Sequence, residues 1–132
     1  MKNNVSFTVA ALLLFAAFAL PTGNAAAQNA RSVAGTYSVV TSAPFGANPR
    51  GQMILGRDGR YSIVLARATL PKVAAGARNK GTPEENGALV GGSIAHFGTY
   101  TVDEKEKTIT FNVEASTFPN WDGATFKRSL KV

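Results

Sequence analysis

Thr108–Leu130 reads TITFNVEASTFPNWDGATFKRSL. Ile109, Phe111, Val113 and Ala115 fall at every second position, the period of a strand that turns one face toward a core. A second strand-like run, Ala124 to Val132, follows the corner Phe118-Pro119-Asn120-Trp121-Asp122-Gly123. That corner holds the single tryptophan of the chain. Its ring is large and apolar, and beside a turn it closes one end of a β-sheet core. Two strands about an aromatic corner predict an all-β, mainly antiparallel fold.

Working back along the chain, more strands of this kind appear. Gly35–Thr41 is a first strand, and Pro44, Gly46 and Asn48-Pro49 mark the loop after it. Gly51–Leu55 and Tyr61–Ala66 are predicted to pair as a hairpin across Arg57-Asp58-Gly59-Arg60, where the glycine accepts the positive φ of a tight turn. Residues 67–80 have no period and read as a long loop. Thr82-Pro83-Glu84-Glu85 carries a cap, a proline at the first helical position and a capping box, so one short helix is expected over 82–94. Gly87, Gly91 and Gly92 weaken it by roughly 1 kcal/mol each relative to alanine. Phe97–Val102 is the next strand, and the charged run Asp103–Lys107 turns back into Thr108.

The N-terminal segment has a different character. Met1–Asn4 is weakly positive, Val9–Leu20 is apolar, and Ala25-Ala26-Ala27 supplies a small-residue cleavage pattern before Gln28. This is the layout of a secretory signal peptide over 1–27, so the mature protein is expected in the periplasm or outside the cell. The apolar run is short of the roughly 20 residues a spanning helix needs, so no stable membrane span is expected after cleavage. What remains, 28–132, is enough for one domain. With no cysteine, that domain has neither disulfides nor thiolate chemistry and rests on core burial alone. The net charge of +6 is carried by scattered Lys and Arg, without basic–aromatic interleaving, and reads as solubility rather than nucleic-acid binding.

Gly35-Thr36-Tyr37, Asn48-Pro49-Arg50-Gly51, Arg57-Asp58-Gly59-Arg60-Tyr61, Gly81-Thr82-Pro83-Glu84-Glu85, Phe97-Gly98-Thr99-Tyr100 with Val102-Asp103-Glu104, and Val113-Glu114-Ala115-Ser116 with Phe118-Pro119-Asn120-Trp121 occur in that order. In this order the chain resembles the bacterial lipocalin-like domain family, small β-barrels of the calycin type. The resemblance implies a lipocalin-like β-barrel over 28–132 whose mouth holds a small hydrophobic or amphipathic ligand. Phe111 and Asn112 stand where compared members carry a histidine pair, so a role of those histidines does not carry over. Members also continue past Leu130-Lys131-Val132 through further strands. An incomplete barrel is therefore expected, with open edges that favour a homodimer or low stability.

Aromatic and aliphatic residues of the strands are the ligand-binding candidates: Tyr37, Met53, Tyr61, Ile63, Phe97, Tyr100, Phe111, Phe118 and Trp121. Arg60 or Arg128 would orient a polar head. His96, the only histidine, is a weak catalytic candidate that would need an orienting carboxylate, with Glu114 best placed by pattern. A cap at the helix end is its plainer role. One histidine and no cysteine argue against a metal site, and no cofactor is expected. Ser93 and Ser116 lack a hydrolase elbow, Gly87–Gly92 lacks the phosphate-loop lysine, and 103–107 lacks the calcium-loop pattern. Three functions remain open: ligand carriage, an isomerase- or cyclase-type barrel enzyme using Tyr61, Tyr100, His96 and Glu114, or a ligand-free structural or interaction domain.

Overall fold

The computed structural model describes residues 30–131; the signal peptide expected over 1–27 lies outside them. The strands are β1 (Gly35–Ser38), β2 (Thr41–Ser42), β3 (Gly46–Ala47), β4 (Arg50–Leu55), β5 (Arg60–Ala66), β6 (Ser93–Asp103), β7 (Thr108–Ser116) and β8 (Thr125–Ser129). Helix α1 (Pro83–Gly91) joins β5 to β6, and residues 30–32 at the start of the described chain are also helical. Six strands form an antiparallel sheet in the order β1-β4-β5-β6-β7-β8, while β2 and β3 make a separate small hairpin. The sheet is open: β4 to β8 are consecutive neighbours, β1 joins β4 across the intervening β2–β3 hairpin, and the edges β1 and β8 do not pair with each other.

The hairpin between β4 and β5 forms as its turn residues dictate. Gly59 has φ of 80°, and Arg60 N donates to Asp58 Oδ1 at 3.1 Å. The capping box of α1 is complete: Glu85 N donates to Thr82 Oγ1 at 3.2 Å and Thr82 N to Glu85 Oε2 at 2.9 Å. Ala74 N also donates to this carboxylate, so backbone hydrogen bonds from Ala74 and then Thr82 hold Glu85 below its usual pKa. The helix ends at Gly91 rather than near Ile94. Two glycines stop it, and Ser93 and Ile94 already pair with Ala66 and Leu65 of β5. No residue of α1 is buried, so it does not cover the sheet.

A bulge in β7 decides which side chains share a face. Phe97 pairs with Ala115 but Gly98 pairs with Val113, which leaves Glu114 as the extra residue. A bulge shifts the alternation by one position. Ile109, Phe111 and Val113 therefore lie on the concave face, and Ala115 passes to the convex one beside Phe97, contrary to the simple period. The glycine at 98 is required here, since a Cβ would run into the backbone of Asn112 and Glu114.

The core occupies one end of the concave face. Leu55, Tyr61, Tyr100, Val102 and Ile109 cluster there with Ala30 and Val33 from the start of the described chain. Tyr100 is 2 % exposed, and its hydroxyl lies between Gly56 O at 2.7 Å and Ala30 O at 2.8 Å. It thus ties the β4–β5 turn to the N-terminal residues, burying a large ring with its polar tip satisfied.

Candidate ligand groove

The meander curls round a groove of about 750 Å³ whose walls come from β1, β4, β5, β6, β7 and β8. Register explains why these side chains meet: Tyr37, Met53, Ile63 and His96 are successive cross-strand partners, and Phe111 pairs with Phe126. Of the ligand-binding candidates, Tyr37, Met53, Tyr61, Ile63, Phe111 and Trp121 line this groove. Three do not. Phe97 is on the convex face and 46 % exposed, because His96 and Gly98 take the concave positions on either side of it. Tyr100 is sealed in the core. Phe118 packs edge-on against Trp121 at 5.8 Å, with 44 % of its own surface exposed outside the groove lining.

The groove is predominantly apolar, with one hydrogen-bonded couple in its wall. Tyr61 Oη and His96 Nδ1 are 2.9 Å apart. Burial pushes the Tyr61 phenol up to about 12, with the Glu114 charge adding to the rise, and burial lowers the pKa of His96. Both groups are therefore neutral at pH 7. We assign the phenol as donor to Nδ1, which leaves the ring proton of His96 on Nε2. Aromatic edges surround the couple: Phe111 lies 4.8 Å from Tyr61, Trp121 lies 5.8 Å from His96, and Phe126 lies 5.1 Å from Trp121.

A His96–Glu114 pair does not form. Glu114, carried outward by the bulge, binds Arg60 at 2.8 Å on the convex side, and both side chains are largely solvated. That ion pair also removes Arg60 from the groove, leaving Arg128 in its lining. Nor is His96 a helix cap, since it lies within β6. The sequence reading missed Phe126, although it shares parity with Arg128 and Leu130 along the final strand. It also missed the Tyr61–His96 contact, which joins residues 35 positions apart and leaves no local pattern. Among the described residues, no group of three or more His, Asp or Glu could hold a metal ion, and no helix is long and apolar enough to cross a membrane.

An all-β meander curled round an apolar groove, with one short capped helix, is the architecture of a lipocalin-like protein. The family model of the lipocalin-like domain matches residues 30–132, and the chain belongs to that family. Neither a curated protein nor a solved structure matches it significantly.

Proposed function

We propose that the protein binds one small hydrophobic or amphipathic molecule in the concave groove. The observation that carries this reading is the groove's size together with its lining. At about 750 Å³ it falls within the roughly 300–1,000 Å³ of small-molecule sites. Met53, Ile63, Phe111, Trp121 and Phe126 offer apolar contact, and each Å² removed from water contributes about 25 cal/mol. Native mass spectrometry of the protein purified from its own host tests the reading. The expected result is a co-purifying small molecule, released when the protein is denatured. Protein that is folded and free of any adduct, and that takes up no apolar compound on titration, would overturn it.

Export belongs to the same proposal and rests on the leader-like segment 1–27; the N-terminal residue of the protein recovered from its host checks it. Acid–base catalysis is a second reading, favoured by the Tyr61–His96 hydrogen bond within the groove. Should a conversion be found, H96A leaving its rate unchanged would remove that reading. Self-association through the unpaired edges of β1 and β8 is also proposed. A sedimentation coefficient that stays monomeric as concentration rises would remove this one.

A further inference from the structure

Resting on the ligand-carrying reading, we propose that the groove takes an amphiphile with a single anionic head, a carboxylate or phosphate monoester, held by Arg128. The lining is one-sided in charge. Its cationic side chains are Arg128 and Lys131, and no Asp or Glu contributes to it. His96, desolvated in the wall, adds no charge near neutral pH. An anionic head thus meets attraction at one end of the groove, whereas a cationic head meets only repulsion.

Arg128 is placed for this role by β8. It lies opposite Ile109, two residues beyond Phe126, so both side chains face the groove. Its guanidinium carbon is 5.4 Å from the centre of the Phe126 ring, a cation–π contact that holds the planar group against the wall. One of its nitrogens, Nη1, donates to Lys127 O at 3.1 Å. The ion pair seen among the described residues is Arg60–Glu114, on the other face, so Arg128 has no carboxylate partner there. Guanidinium N–H donors in a planar fork remain for an oxyanion. The tail then runs from Arg128 past Phe126 toward Trp121. Free phosphate would use the charge but leave this apolar wall unfilled.

Trp121, the only tryptophan, lines the groove and reports its occupancy through its emission. The full chain is titrated with dodecanoate, dodecyl phosphate, dodecanol, dodecyltrimethylammonium and inorganic phosphate, with calorimetry in parallel. One or both anionic amphiphiles should bind about tenfold more tightly than dodecanol, the scale of a charge-assisted hydrogen bond discounted for an exposed cation. The stronger of the two identifies the head. Inorganic phosphate should not compete. In R128Q the anionic and neutral amphiphiles should converge to within about threefold, while R128K keeps part of the preference. K127Q removes a charge from the opposite face, next in sequence, and should retain the preference in full. Equal affinity for dodecanol and both anions in the native protein overturns the anionic head but leaves ligand carriage standing. An equal loss in K127Q and R128Q reduces the effect to net charge and overturns the assignment to Arg128. No binding of any amphiphile overturns both readings.

Discussion

The two faces of the β5 strand contrast sharply. On the concave side Tyr61, Ile63 and Leu65 meet His96, Phe111 and the rest of the groove wall. On the convex side Ser62 and Val64 lie near Phe97 and Ala115, with Val64 61 % exposed and Arg60 paired to Glu114 across solvent. Both faces carry apolar residues, so hydrophobicity alone does not distinguish them. The concave face differs because the sheet curls round it and the N-terminal residues close one end. The bulge at Glu114 then sorts β7 between the two faces, sending Phe111 inward and Ala115 outward.

The contrast predicts a graded series of effects. Y100A should have the largest, about 3–5 kcal/mol of stability by urea unfolding, because it leaves a cavity in the core and removes the hydroxyl donor shared by the Gly56 and Ala30 carbonyls. A loss under ~1 kcal/mol would mean that the core end of the concave face is not closed. G98A should cost about 1–3 kcal/mol, since its Cβ meets backbone on both sides of the bulge. A neutral G98A would show that β7 runs without the bulge and that Glu114 and Ala115 have been assigned to the wrong faces.

A smaller effect comes from His96. Its folded-state pKa is depressed by burial, so the unfolded chain takes up its proton first as pH falls. The native protein should therefore have its full His96 contribution above about pH 6.5 and lose stability as pH drops through that value toward the lower folded pKa. The urea midpoint compared at neutral and mildly acidic pH measures this loss, and H96Q should flatten it. An unchanged slope in H96Q would assign the effect to carboxylates elsewhere. V64A on the convex face should have the least effect, within about 0.5 kcal/mol. A larger loss would mean that something covers that face.

Local signals carried most of the fold. The Asp58-Gly59 turn, the capping box at Thr82 and the alternation of Thr108–Val113 each depend on neighbours in sequence, and each element formed where they indicated. The face assignments beyond the bulge were not legible from period alone. Gly98 was the available sign, because an isolated glycine within a strand often marks a bulge or a close backbone approach. Phe97 is a separate case: it has opposite parity to His96 and Tyr100 within β6, so alternation along that strand alone puts it on the convex face. The Tyr61–His96 couple and the Arg60–Glu114 pair depend on register across two or more strands, which no single run of residues states.

The claim that the concave face is a ligand site rests most directly on Trp121. Its emission should change saturably, with one-to-one stoichiometry, as dodecanol is added to the full chain, while the far-ultraviolet dichroism stays constant. Emission that is unmoved, or that drifts without saturating, would show that the groove is not a ligand site.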